Sequence, residues 1–306
     1  MTLSKTGVAS GYLLAADGHT RDSFSKVQFP ANGSTNFTTP GGITITGAFD
    51  WTGSEDETGA KKFDGNATDG TWVAELEADR SDKAAVTDGQ ATIQIPPVAG
   101  GTAGSGFATV TAKNGLITTI YTLADDDKHF MRWAVLGSRS GRVPQWVATK
   151  SGGLFAGIMH VTNGLAVVTE TNIWIRPASG NTSYPTLLPG GFTAPLFDSV
   201  CSPFSIAQGS FSGTFTLNLT GGGVISNVVN QSVTFASGAV QPVGHIVSGS
   251  LDGNGKLKIT FLDGLPNKHK TTAVGTLLQN ANTGVGFFIM PPTSSPVNSG
   301  VMTLAP

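Results

Sequence analysis

The sequence predicts an all-β protein of antiparallel, up-and-down meanders, closed as a barrel or packed as two half-barrels. Three observations carry that prediction. Tight-turn dipeptides punctuate the chain, with Asp-Gly at 17–18, 64–65, 69–70, 88–89, 252–253 and 263–264, and Asn-Gly at 32–33, 114–115, 163–164 and 254–255. Both favour hairpins, because a type I′ turn needs two residues at positive φ. The runs between them alternate apolar and polar residues with the period of a strand. Finally, charged residues make up 12% of the 306 and glycine supplies 41 of them, whereas soluble domains are typically about a quarter charged.

Taken in order, strand-like runs cover Ile43–Phe49, Phe107–Ala112, Leu116–Leu123, Phe130–Leu136, Gln145–Thr149, Leu154–Val161 and Leu165–Ile175. A second series covers Phe211–Leu217, Val228–Phe235, Leu257–Leu262, Thr271–Leu278, Val285–Met290 and Val301–Ala305. Turn signals at this spacing imply about 14–18 strands in a sandwich or barrel. One helix is expected, over Val73–Val86, where Ala, Glu, Leu and Lys run without Gly or Pro. Between Pro177 and Pro203 lie Pro185, Pro189 and Pro195 as well. That segment cannot be a central strand, since proline lacks the ladder donor. It reads as a surface connection or a seam, and the expected halves are 1–185 and 186–306.

An internal echo supports two halves. Asn114-Gly115, Leu116–Tyr121 and Lys128-His129 reappear 140 residues later as Asn254-Gly255, Lys256–Phe261 and Lys268-His269. Further on, AGIMHV (Ala156–Val161) is echoed by SGVMTL (Ser299–Leu304) at an offset of 143. The spacing suggests a duplicated meander, with the last strand set inside a sheet as its counterpart is.

Composition also bounds function. A net charge of -2 offers no basic footprint for nucleic acid and no polybasic patch for an anionic membrane. No run of about 18 apolar residues exists to form a transmembrane helix. The single cysteine, Cys201, excludes an intrachain disulfide and reads as a small buried residue. The opening MTLSKTGVASG has no apolar core of a secretory leader, so either the protein is cytosolic or a leader and upstream domains lie outside this sequence; the second is favoured because the first residues already read as the approach to a strand.

The stretches DGTWVAELEADR (69–80), GSGFATVTAKNG (104–115), Leu123–Asp125, NIWIRP (172–177) with the following YP and GGF, VGTLLQNANTGVGFFIM (274–290) and SGVMTLAP (299–306) together resemble an uncharacterised family. It is a C-terminal β-rich module of large secreted, multidomain proteins of verrucomicrobial and planctomycete bacteria. The resemblance covers nearly the whole chain in order. Where the family typically has Asp-Gly-Thr after Leu-Ala, this chain has Asp125-Asp126-Asp127. The resemblance implies a secreted or cell-envelope setting and a C-terminus at Pro306; the family has no assigned activity, so it carries fold and location further than function.

The sharpest chemical candidate is Glu75, Glu77 and Asp79. On a strand these carboxylates share one face, with Trp72, Ala74, Leu76 and Ala78 on the other. Residues two apart on a strand lie roughly 6.5–7 Å apart, within the separation two carboxyl groups need for glycoside hydrolysis. The competing reading is a solvated face, or a helix whose acids pair with Arg80 and Lys83. Glu55-Asp56-Glu57 and Asp125-Asp126-Asp127 lack the spacing of a calcium loop. His19, His129, His160, His245 and His269 are scattered, and neither a zinc site nor a nucleotide motif is indicated. Trp51, Trp72, Trp133, Trp146 and Trp174 could stack on sugar if several were exposed on one sheet, but tryptophan is usually core. An outer-membrane barrel would need more aromatic girdle than three Tyr and five Trp provide. The expected function is a non-catalytic module for adhesion, display or binding of polysaccharide or another cell-surface ligand, without cofactor or metal. The alternative is a secreted glycosidase using Glu75 and Glu77.

Overall fold

The computed structural model describes residues 1–4, 6–14, 20–30, 32–50, 62–98, 104–124, 131–148, 153–161, 167–178, 190–196, 199–207, 209–221, 230–263, 269–290 and 299–306. The described residues form antiparallel sheets and short 3-10 turns. Contacts divide the chain into two units, Met1–Asp82 with Ser138–Arg142, and Lys83–Gly137 with Val143–Pro306.

In the first unit, β1 (Thr2–Leu3), β2 (Val8–Leu14) and β3 (Arg21–Gln28) form one sheet. A second sheet runs in the order β4 (Ser34–Thr38), β5 (Thr44–Asp50), β6 (Lys62–Thr68) and β7 (Val73–Asp79). Ala9, Phe24 and Phe29 from the first pack with Ile45, Phe63 and Ala67 from the second. Phe49 bridges two of these rings, with centroids 4.9 Å from Phe29 and 5.2 Å from Phe63, geometry that adds about 0.5–1.5 kcal/mol per pair beyond burial. The opposite face of the second sheet carries Asn36, Thr46, Asp64, Asn66, Glu75 and Glu77, all exposed.

The helix expected over Val73–Val86 is instead β7, followed by a 3-10 turn at Lys83–Ala85. Pairing with β6 from Thr68↔Val73 to Lys62↔Asp79 supplies a ladder that overrides a weak helical preference. Asp69 fixes the hairpin, its Oδ1 accepting from the Thr71 N–H (2.8 Å), the Thr71 hydroxyl (2.7 Å) and the Trp72 N–H (3.3 Å).

In the second unit, β8 (Gly89–Ile95), β9 (Gly106–Lys113), β10 (Leu116–Thr122) and β11 (Met131–Leu136) form a meander. Next come β12 (Arg142–Ala148), β13 (Leu154–Val161), β14 (Val167–Arg176), β15 (Phe192–Leu196) and β16 (Val200–Pro203). One sheet has the order β11-β10-β9-β8-β16 and another β12-β13-β14-β15. The first sends Ile93, Val110, Ile117 and Tyr121 into a core shared with Val143, Val147, Phe155, Met159 and Trp174 of the second. Of the described prolines in the 177–203 segment, Pro195 lies on β15 and Pro203 on β16, both edge strands, where the missing ladder donor is tolerated. Residues 179–189 of that segment lie outside the described residues.

The remaining strands are β17 (Gly213–Gly221), β18 (Gln231–Ala236), β19 (Ala239–Val240), β20 (Ile246–Leu251), β21 (Lys256–Leu262), β22 (Lys270–Leu278), β23 (Thr283–Ile289) and β24 (Ser299–Ala305). They close into a barrel. Leu217, Leu219, Val233, Phe235, Leu257, Ile259, Phe261, Phe288, Met302 and Leu304 fill its interior. Thr214, Ser232, Thr234, Ser250 and Lys258 stand exposed outside, the inverse of the alternation an outer-membrane barrel presents. On one side the barrel meets the β8–β11 sheet: Phe287 and Ile289 join its core, and the Thr92 hydroxyl donates to the Leu277 carbonyl at 2.7 Å. No described helix is long and apolar enough to cross a membrane.

The echo in the sequence extends to pairing register. Leu116↔Leu136 through Tyr121↔Met131 in β10–β11 become Lys256↔Thr276 through Phe261↔Thr271 in β21–β22, each shifted by 140 residues. The Gly137 N–H donates to Gly115 O and the Leu277 N–H to Gly255 O, both at 2.9 Å. The preceding turns differ. Asn114 and Gly115 both have positive φ, 53° and 75°, a two-residue hairpin. At 252–255 only Gly255 does, and the loop is longer. As expected, Ser299–Ala305 sits inside a sheet, paired with β23 and β17. The described residues hold 24 strands, above the about 14–18 that turn spacing suggests. The excess lies in polar strands such as β4 and β6 and in two-residue ones such as β1 and β19.

Candidate functional sites

The carboxylates singled out from the sequence lie on β7, at the edge of its sheet. Alternation puts Val73, Glu75, Glu77 and Asp79 on the outer face, next to Asn66, Asp64 and Lys62 of β6. Glu75 and Glu77 are exposed. Segment 138–142 runs beside the end of β7: Ser138 bridges to Ser81, and the Arg139 N–H donates to Arg80 O at 3.0 Å. From there Arg142 Nη1 meets Glu77 Oε1 at 2.5 Å, and the Ser140 hydroxyl donates to Asp79 Oδ2. Lys62 Nζ lies 2.8 Å from Asp64 Oδ2. That hydrogen bond and the charge of Asp64, with smaller help from Glu77 and Asp50, hold the Lys62 ammonium above its ordinary value. Asp69, at the hairpin beneath, is held below its ordinary value by the hydrogen bonds from Thr71.

This arrangement is a mainly acidic, solvated sheet face with Lys62 and Arg142 paired to two of its carboxylates. A glycosidase acid is usually kept protonated by an apolar pocket; Glu77 instead faces a guanidinium. Trp72 is 42% exposed at the start of the same strand. Of the other tryptophans, Trp174 is buried, Trp133 and Trp146 are half-buried, and Trp51 lies outside the described residues. So do Glu55-Asp56-Glu57, Asp125-Asp126-Asp127, His19 and His129. Among the described residues no group of three or more His, Cys, Asp or Glu is placed to hold a metal ion. Cys201 is half-buried on β16 against the core.

Two sites were not singled out from the sequence. At one end of the barrel Asp263 is fully buried, with His269 Nδ1 at 3.4 Å and its backbone N–H donating to His269 O at 3.1 Å. The other is a groove of about 550 Å³ lined by Gln90, Ser205, Ile206, Ala207, Asp252, Gly253 and Asn254. Glu75 and Glu77 do not border it. Gln90 Nε2 donates to Asn254 Oδ1 at 3.3 Å. Asp252 Oδ1 accepts from the backbone N–H groups of Asn254 (2.9 Å) and Lys256 (3.0 Å). Ser205 is tied to Gln279 twice, its N–H donating at 2.8 Å and its Oγ accepting at 3.2 Å. Burial pushes the neighbouring Lys256 ammonium below its ordinary value, partly offset by Asp252. The available signals were the Asp-Gly-Asn-Gly turn at 252–255 and the alternation Ala91, Ile93, Ile95, which marks β8 and so the strand bearing Gln90.

Comparison with protein-family models, curated proteins and solved structures returns no match.

Proposed function

We propose that this chain is a non-catalytic β-rich module of a secreted or cell-surface bacterial protein, serving adhesion, display or the binding of polysaccharide. The observation that supports this most is the setting of Glu75 and Glu77, exposed on an open sheet face with Glu77 paired to Arg142. A surface dense in Asn, Thr, Ser and carboxylate, with little net charge, suits hydroxyl-rich ligands better than phosphate backbones. The resemblance to β-rich modules of secreted multidomain proteins points the same way for location and for upstream domains.

The rival reading, a glycosidase using Glu75 and Glu77, rests on the two carboxylates sharing one strand face. Reducing-end release across a panel of polysaccharides and aryl glycosides separates the two. The binding module releases nothing. Hydrolysis by the unaltered protein that disappears in Glu75→Gln and in Glu77→Gln, with both variants folded, would overturn the non-catalytic reading.

A further inference from the structure

We infer that the groove between the β20–β21 turn and β8 is the binding site for a neutral, hydroxyl-rich glycan. The inference rests on the polysaccharide reading above and gives it a place and a chemistry. The volume of about 550 Å³ falls within the roughly 300–1,000 Å³ of small-molecule sites. Its walls come from separate parts of the chain that the fold holds together. Gln90 is the second residue of β8, Ser205–Ala207 follow β16, and Asp252–Asn254 form the turn into β21. The turn is seated firmly: a Cβ on Gly255 would lie 2.4 Å from Thr92 Cγ2 and 3.0 Å from Phe204 Cδ2.

The lining chemistry selects the ligand class. Gln90 and Asn254 each offer a donor and an acceptor, Ser205 a hydroxyl, and Asp252 a carboxylate. Ile206 and Ala207 give an apolar strip suited to the C–H face of a sugar ring, and Gly253 keeps one wall free of a side chain. No lining residue is cationic, and the Asp252 charge disfavours uronates and sulfated sugars. The polar side chains are already held by hydrogen bonds within the protein, so binding costs little ordering.

The test is affinity electrophoresis of the full chain in native gels containing neutral polymers (mixed-linkage β-glucan, glucomannan, arabinoxylan) or anionic ones (alginate, polygalacturonate). The expected result is retardation by at least one neutral polymer. The dissociation constant should rise about tenfold in Gln90→Ala and in Asn254→Ala, the scale of one well-made hydrogen bond, with Ser232→Ala, exposed on the outside of the barrel, as the unaffected control. Unchanged retardation of both groove variants, with melting temperatures like the parent, overturns the groove while leaving polysaccharide binding intact. Retardation by anionic polymers alone also overturns it. No retardation of the unaltered protein by any polymer removes the polysaccharide reading itself, and the groove with it.

Discussion

The β10–β11 and β21–β22 hairpins share one register and end in different architectures. After β22 the chain pairs β23 and goes on to close a barrel. After β11 the pairing stops, and β11 and β12 become edges of two separate sheets. The difference lies in the size of the inward side chains. In the barrel these are Ala273 and Gly275 on β22, with Gly284 and Gly286 on β23. A Cβ on Gly275 would lie 2.2 Å from Val285 O, and one on Gly286 2.1 Å from Val274 O. Strands coiled that tightly admit no side chain there. In the sandwich, Trp133 and Val135 of β11 stand where the barrel has Ala273 and Gly275, and β12 turns Val143, Gln145 and Val147 to the core. Pairing register is therefore compatible with either outcome, and small residues at one seam decide which is reached.

The largest test of this comparison removes Ser299–Pro306. That deletes β24, which pairs both β17 and β23, and leaves two long open edges. The truncated chain is expected to lose its near-ultraviolet circular dichroism and its monomer peak in size-exclusion chromatography. A monomer with the parent melting curve would show that closure matters little. Next in size, Gly286→Val should cost about 3 kcal/mol or more in urea unfolding by overpacking against backbone. Val135→Ala on the sandwich side should cost only about 1 kcal/mol. Equal costs would sink the argument from seam size.

A smaller effect, with a pH signature, separates the two interiors. Tyr121 is buried in the sandwich, its hydroxyl donating to Gln145 Oε1; at the 140-residue offset the barrel has Phe261. Tyr121→Phe should cost about 1–2 kcal/mol at pH 7 by leaving Gln145 short of a donor. Burial holds the phenol far above its ordinary value of 10.0. Above that pH the unfolded chain releases the proton while the folded chain keeps it, so the parent loses stability as pH rises and the variant lacks this loss. The gap measured by denaturant melts should narrow above pH 10; a constant gap would argue against a neutral buried phenol. The smallest effect belongs to the outer face of β7. Glu77→Gln breaks a half-exposed ion pair and should shift stability by no more than about 0.5 kcal/mol, and the shift should vanish at high salt.

Much of the barrel was legible because its strands alternate cleanly and its turns are written in glycine. Leu257, Ile259 and Phe261 interleave with Lys256, Lys258 and Thr260, and Ser299–Ala305 could be matched to an earlier strand. The first unit was far less legible. β3 (RDSFSKVQ) and β6 (KFDGNAT) bury Phe24 and Phe63 but few other side chains, so periodicity has little to act on. β7 reads as a helix because Ala, Glu and Leu favour one locally; only the ladder from β6 makes it a strand. The groove was legible only in pieces, the turn at 252–255 and the strand bearing Gln90, and not as one site. Gln90, Ser205 and Asn254 are far apart in sequence and unremarkable singly, and what joins them is the packing of the β20–β21 turn on β8 and Phe204. Closure as a barrel was among the expected outcomes; what was hidden was the part played by Gly275 and Gly286, which read locally as interruptions.

The pairing of β17 with β24, as in Leu217↔Leu304, has a temporal consequence. During synthesis the first strand of the barrel waits for the last. Until residues 299–305 have been made, Leu217, Leu219 and Phe261 have no finished interior, and β17 and β23 each lack a neighbour. Such non-local pairings put β proteins among the slow folders, on millisecond-to-second timescales. The meander of β8–β11 uses only neighbouring strands and can form as it emerges. The nascent chain therefore presents a paired meander whose core still awaits Phe287 and Ile289 of the unfinished barrel, and in that interval it is most exposed to aggregation and to chaperones.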